Sequence, residues 1–260
     1  ATYLGFYGPT YAKECDWWIV DEALKQWISS SYPGSEKMWF LPGPSLCYVP
    51  DLHGLPSVEQ IRYKDPENLV YGSFNHTRKI TSTTQRRFGA ILSASPNSVL
   101  QFRSHSFHDP AVRRLFMIRF SDMGILPHQL QPLPYAPSST DAMLDYGRIH
   151  LHLDSSPVSG TTTTLDSLAM GIPVLTTPTP YYAGAISSSI MHYAGLGKYI
   201  CPEPDQLPEY AQSLATEFKS IEARRNLAYK VRSSPICNVD LMPSMFVGQL
   251  KQMLRQKLSF

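Results

Sequence analysis

The sequence predicts an α/β chain built on a parallel, doubly wound sheet, preceded by a shorter stretch of different character. Three observations carry this. From Leu69 onward, short apolar runs alternate with helix-length segments, the pattern of strands joined by helical crossovers. The chain has 260 residues, 43% of them hydrophobic, enough for one large domain or one and a half smaller ones. Before Leu69 the alternation is missing and turn signals dominate.

Taken in order, LVYGSF (69–74) reads as a strand and TTQRRFGAILSAS (83–95) as the helix after it, stopped by the turn at Pro96 and Asn97. SVLQF (98–102) is the next strand, followed by a helix through DPAVRRLFMIRFSDMG (109–124). LQPL (130–133), IHLHL (149–153), PVLTT (173–177) and KYIC (198–201) continue the series, with helices between most of them. FVGQLKQMLRQKL (246–258) is apolar at roughly helical spacing and reads as a terminal helix. Residues 1–66 hold all four tryptophans, Trp17, Trp18, Trp27 and Trp39, and too few elements for a second complete α/β domain. The boundary falls in PDLHGLPSVEQIRYKDPEN (50–68). The expected division is therefore 1–66, the tail of one half-domain, then 67–239, a Rossmann-like domain, and 240–260, a C-terminal helix. Ala1 opens directly into strand-like TYLGF, which reads as a cut inside a longer protein.

Composition narrows the function. Net charge is +2 with scattered basic residues, so no phosphate-backbone tract for DNA or RNA is expected. No apolar run approaches the roughly 20 residues that span a bilayer, and the start lacks the basic and apolar regions of a signal peptide. Cys15, Cys47, Cys201 and Cys237 form no CxxC pair; spacing does not exclude disulfides, but free thiols in a reducing cytosol are the plainer reading. A GxSxG, a P-loop and a GxGxxG are all missing, which argues against a hydrolase, an NTPase and a dinucleotide oxidoreductase. His150 and His152 share a face of one strand, with no third metal ligand placed by sequence. Arg86, Arg87, Arg113 and Arg114 read as solvated helix faces, and Tyr181 and Tyr182 as either cleft-lining or packing aromatics.

Ligands of open α/β sheets bind at the carboxyl ends of the strands, and two strand ends stand out. In the run from Asp154 to Asp166, which reads PVSGTTTTLD from Pro157 on, Gly160 permits a tight turn. Thr161, Thr162 and Thr163 then place hydroxyls and amides at a helix N-terminus, an anion site. Asp166, expected on the first turn, is placed to accept hydrogen bonds from ribose hydroxyls. On spacing alone these threonines serve equally as helix caps and Asp166 as a dipole complement. The other end is SFNHTRKI (73–80): Lys79 is a candidate to neutralise a diphosphate, and Asn75 and His76 to hydrogen-bond a nucleotide.

These residues resemble a family. YGSFNHTRKI, PNSVLQFRS, the run 153–176 with its PVSGTTTTLDSLAMGIPVLT, and the closing SPIC are similar to the catalytic C-terminal domain of the protein O-GlcNAc transferases. LGFYGPT, DWWIVD and EKMWFLPG resemble, in matching order, the segment preceding it. The resemblance implies a fragment of GT-B architecture and an inverting, metal-independent transfer of a sugar, GlcNAc, from a nucleotide donor such as UDP-GlcNAc to a protein or peptide. No cofactor is implied. By the same resemblance Thr162 and Thr163 hold the diphosphate, Asp166 the ribose, and Lys79 the departing diphosphate. His76 stands where a Gln contacts the nucleotide, Arg103 falls among the donor-binding residues, and Leu4, Gly5 and Gly8 lie in the loop near the sugar. An upstream half-domain of the same protein is implied as a partner, with a cytoplasmic location.

The chain departs from the family at several points. Thr161 replaces a usual His, Tyr7 a Pro, and Pro9, Thr10 and Tyr11 a Thr-Ser-Gly run; Ala185 stands where an Arg is common, and Ser138 and Asp141 where Lys and His contact the nucleoside. Because several of these cluster near the sugar, a non-catalytic nucleotide-sugar-binding domain is the first rival reading. An epimerase or lipid-acceptor transferase of the same architecture is the second.

Overall fold

A computed structural model describes residues 1–4, 7–28, 34–64 and 67–258. Its centre is a five-stranded sheet made of β3 (Val70–Ser73), β4 (Val99–Ser104), β5 (Leu130–Pro134), β6 (Leu151–Leu153) and β7 (Val174–Leu175). The spatial order is β5-β4-β3-β6-β7 and every pairing is parallel. The chain thus winds outward one way from β3, returns, and winds the other way from β6. The reversal lies between β3 and β6, a switch point whose carboxyl end is open to a ligand. All residues of β3 and β6 are buried, as expected where helices cover both faces. KYIC, expected as a further strand, contributes only an isolated bridge from Ile200 to Thr176, because Gly197–Tyr199 is taken up in a 3-10 turn.

The crossovers are α1 (Ser82–Ala94), α2 (Pro110–Ser121), α3 (Ser139–Tyr146), α4 (Thr162–Ala169) and α5 (Tyr182–Tyr193), followed by α6 (Leu207–Glu217), α7 (Ile221–Arg232) and α8 (Leu241–Leu258). Local chemistry explains several starts: Thr81, Asp109, Ser138 and Ser220 each accept an amide of the first turn, and Pro110 follows Asp109 at a position that needs no N–H. α4 ends at Gly171 (φ 76°), where a Cβ would stand 2.3 Å from the Arg224 carbonyl oxygen.

Ahead of the sheet, β1 (Trp17–Asp21) and β2 (Lys37–Leu41) pair in parallel, and Thr2 bridges to Trp18. Of the strand expected at TYLGF, Thr2 alone pairs among the described residues; Gly5 and Phe6 lie outside them. α8 begins five residues before the expected segment (Leu241 against Phe246) and packs on this pair of strands. Met253 joins Ile19 and Leu41 there, Trp39 Nε1 donates to Gln249 at 2.9 Å, and Lys257 pairs with Asp16. Trp18, Val20, Leu24 and Tyr48 belong to the main core, with Trp18 edge-on to Tyr182 at 4.8 Å. Tyr182 is therefore a packing aromatic.

His150 and His152 are fully buried, and both accept a backbone N–H of the neighbouring strand region. His150 Nδ1 takes Val70 N at 3.0 Å, and His152 Nε2 takes Phe74 N at 3.2 Å. They extend the β3–β6 pairing on either side of its two-residue ladder. Among the described residues, no group of three acidic, His or Cys side chains could hold a metal.

Burial depresses the His152 imidazole to about 3, against an ordinary value of 6.5. The unfolded chain therefore binds a proton that the folded chain refuses between about pH 6.5 and 3, so His152 withdraws stability as pH falls through that window, by about 1.4 kcal/mol per unit. In urea melts, the wild type is expected to lose stability on acidification more steeply than His152→Gln, whose amide oxygen still accepts from Phe74. Titrating carboxylates common to both proteins cancel in the difference. Equal slopes would refute the assignment.

Candidate donor site at the switch point

Beyond Ser73 the chain passes through Phe74 and Asn75 into a 3-10 turn, Thr77–Lys79, capped by His76, whose Nδ1 accepts Arg78 N at 3.2 Å. This turn carries Lys79 back over the end of β6, where its Nζ donates to the Ser159 carbonyl at 2.7 Å. Asn75 is buried; its carbonyl oxygen accepts the Thr163 hydroxyl at 2.9 Å. His76 is exposed and spent on the cap.

Beyond Leu153, the buried Asp154 carboxylate organises the turn into α4. Its Oδ1 accepts Ser155 N at 2.8 Å and Gly160 N at 2.7 Å, and its Oδ2 accepts the Thr176 hydroxyl at 2.8 Å. Burial pushes its ionisation up, and these hydrogen bonds oppose the rise. A Cβ on Gly160 would lie 2.4 Å from Thr164 Oγ1 and 2.8 Å from Thr163 Oγ1, so only glycine lets the turn approach the helix.

α4 starts at Thr162, and its N-terminal amides have no intrahelical acceptor. Thr161 makes no capping hydrogen bond, and its hydroxyl is buried without a partner. Thr162 is exposed, Thr163 half-buried. The bland reading of these threonines as caps is thus not what the structure displays. Asp166 is also displaced from expectation: it is the fifth residue of α4, on the second turn, and buried. Burial raises its carboxyl, against a hydrogen bond from Tyr48 Oη that lowers it.

Asp166 and Thr163 line a cleft of about 350 Å³ together with Phe74, Arg103, Tyr135, Met143 and Tyr146. Arg103 enters this cleft already engaged: it pairs with Asp145 at 2.8 Å and donates to the Pro134 carbonyl at 3.0 Å, leaving a buried Nε without a partner. Desolvation holds the Arg103 guanidinium below its ordinary value and raises Asp145. Ser138 caps α3 and bonds Asp141 at 2.7 Å, so the two satisfy each other. Ala185 is fully buried in α5.

Of the N-terminal loop residues, Gly8 is buried and Leu4 exposed in a left-handed conformation (φ 51°); Gly5 lies outside the described residues. The Tyr7 ring stands 5.9 Å from Lys79 Nζ, which brings this loop to the site. Two arginines expected as solvated are not. Arg87 is half-buried, and Arg113 donates to the Phe107 carbonyl at 2.9 Å. All four cysteines are free, and among the described residues no helix is long and apolar enough to cross a membrane.

The family model for glycosyl transferase family 41 matches residues 53–244, the stretch that contains this switch point. The chain belongs to glycosyl transferase family 41. It is similar to proteins named probable UDP-N-acetylglucosamine–peptide N-acetylglucosaminyltransferase SPINDLY, 28% identical in Hordeum vulgare and 29% in Solanum lycopersicum, each over 91% of this chain and 25% of the relative. It thus spans about a quarter of the length of these relatives. Its fold matches an O-GlcNAc transferase variant of Thermobaculum terrenum with a TM-score of 0.81 and 24% identity, covering 98% of this chain and 47% of that one. A more distant fold match is the S. aureus glycosyltransferase TarM, with a TM-score of 0.53 and 11% identity, over 89% of this chain and 43% of that one. The fold is accordingly α/β of the GT-B type.

Within this family 41 chain, two residues at the site escaped sequence reasoning. Asp154 opens the threonine-rich run but reads as an ordinary strand-end acid, and nothing near Tyr48 hints that it reaches Asp166 across 118 residues. A buried-looking Asp at the end of a strand, followed by a glycine turn, was the available signal for the first.

Proposed function

We propose that this chain is the donor-binding half of an inverting, metal-independent glycosyltransferase that moves GlcNAc from UDP-GlcNAc to a Ser or Thr hydroxyl, or an Asn amide, of a cytoplasmic protein. The observation that carries the proposal is the meeting of Lys79 with the 159–163 turn: an ammonium 2.7 Å from the Ser159 carbonyl, beside a helix N-terminus with a buried, unpartnered Thr161 hydroxyl. A diphosphate laid there meets an ammonium, free amides and a helix dipole together. In this reading Thr162 and Thr163 hold the phosphates, Asp166 the ribose, and the cleft flanked by Phe74 and Arg103 the base. The loop of Leu4, Gly5 and Gly8 borders the sugar. Asn75 acts through Thr163, and His76 shapes the lysine turn. Residues 67–239 form the nucleotide-sugar domain, 1–66 the end of the acceptor-side half, and 240–260 the helix that closes onto it.

The acceptor oxygen or nitrogen attacks the anomeric carbon as the bond to the diphosphate breaks. Negative charge growing on the leaving phosphate is met by Lys79 and the amides of Thr161, Thr162 and Thr163, fixed before reaction begins. The acceptor's proton leaves to a base outside the residues named here.

Calorimetry and melting with UDP, UDP-GlcNAc, GDP and a GDP-sugar test the donor half of the proposal. UDP and UDP-GlcNAc at a hundredfold excess over Kd are expected to stabilise the chain by about 2.7 kcal/mol. If neither uridine ligand binds, the donor assignment is wrong.

A further inference from the structure

We infer that Tyr48, contributed by the segment before the sheet, is a positioning residue for the ribose of the bound donor. The inference rests on the proposal that Asp166 receives the ribose hydroxyls.

Asp166 faces the cleft from the second turn of α4, where the helix supplies its carboxylate with no amide. A carboxylate on a terminal rotatable bond, buried and short of partners, has no reason to hold one orientation. Tyr48 provides that reason. Its hydroxyl donates to Asp166 Oδ1 at 2.5 Å, an acid-accepting hydrogen bond of the stronger kind. This occupies one oxygen and turns the other toward the cleft, where two adjacent ribose hydroxyls would need an acceptor of fixed direction.

Tyr48 is itself immobilised. It is 2% exposed, its amide donates to the Ile236 carbonyl at 2.8 Å, and its ring stacks on His53 at 4.6 Å and 28°. The same carboxylate has a second tyrosine nearby, Tyr146, but that hydroxyl donates to the Thr163 carbonyl at 3.3 Å. Tyr146 therefore supports the phosphate turn, and Tyr48 alone of the two addresses Asp166. The consequence is that the donor pocket is completed by a residue from outside the Rossmann-like sheet.

The test compares the intact chain with Tyr48→Phe and Asp166→Asn, titrating UDP and GDP against their 2′,3′-dideoxy counterparts by calorimetry. Phenylalanine keeps the ring, its stacking and the fold, which melting confirms separately. The wild type is expected to prefer the ribonucleotide, and both variants to lose most of that preference, with ribonucleotide affinity falling about tenfold in Tyr48→Phe and dideoxy affinity little changed. If Asp166→Asn abolishes the preference while Tyr48→Phe keeps it, the positioning role is overturned and the ribose assignment stands. If Asp166→Asn keeps the preference, or neither ribonucleotide binds, the ribose assignment fails and takes the inference with it.

Discussion

Replacing Lys79 with alanine is expected to leave melting temperature nearly unchanged and to cut sugar transfer by two to three orders of magnitude in the complete gene product. Lys79 is half-buried at the end of a short turn, and its one described hydrogen bond goes to the Ser159 carbonyl. Losing that bond costs stability about 1 kcal/mol. Its place in the reaction is different in kind. An ammonium held against the turn is already oriented when the leaving phosphate gains charge, so its contribution grows toward the transition state. Removing one such preorganised donor costs roughly 2.7 to 4 kcal/mol there. The split follows: kcat falls about 10²- to 10³-fold, while nucleotide affinity weakens less. Lys79→Arg keeps the charge but spreads it over a larger planar group and should recover only part of the rate. Turnover of the alanine variant close to wild type would remove Lys79 from the mechanism.

The reach of sequence reasoning here follows the range of the interactions. The parallel sheet was legible because each strand and its helix are contiguous, and β3, β4, β5 and β6 fall on the expected runs. Gly160 with Thr161, Thr162 and Thr163, and Lys79 with Asn75, were legible as local patterns, and parallel winding brings their strand ends together at the switch point. What failed was set elsewhere. KYIC is apolar enough for a strand, but a 3-10 turn consumes it. Asp166 sits a turn deeper than expected because α4 begins at Thr162. Arg103 looks like a free cation in sequence, and only the fold reveals that Asp145, 42 positions away, already holds it. Tyr48 comes from a segment whose own pattern is loop-like, so its hydrogen bond to Asp166 has no trace in either neighbourhood.

Asp154 offers the sharpest separation of charge from geometry, and its two obvious substitutions should differ widely. Alanine leaves three buried donors without an acceptor: Ser155 N, Gly160 N and the Thr176 hydroxyl. At about 1 kcal/mol or more for each orphaned group, Asp154→Ala loses at least about 3 kcal/mol, which lowers the melting temperature of a chain this size by roughly 6–12 °C. Asparagine can keep nearly all of the arrangement. Its carbonyl oxygen takes the place of Oδ1 and accepts both amides, and its NH₂ faces the Thr176 hydroxyl, which rotates from donor to acceptor. Since burial already disfavours the charged carboxylate, exchanging it for a neutral amide costs within about 1 kcal/mol. Nucleotide binding should follow the turn and not the charge: lost in Asp154→Ala, where Gly160 N is released beside the N-terminus of α4, and retained within a few-fold in Asp154→Asn. Melting and UDP titration of the two variants side by side decide it. Were asparagine as damaging as alanine, the negative charge itself would be what the site requires, and the hydrogen-bond account of the turn would have to be abandoned.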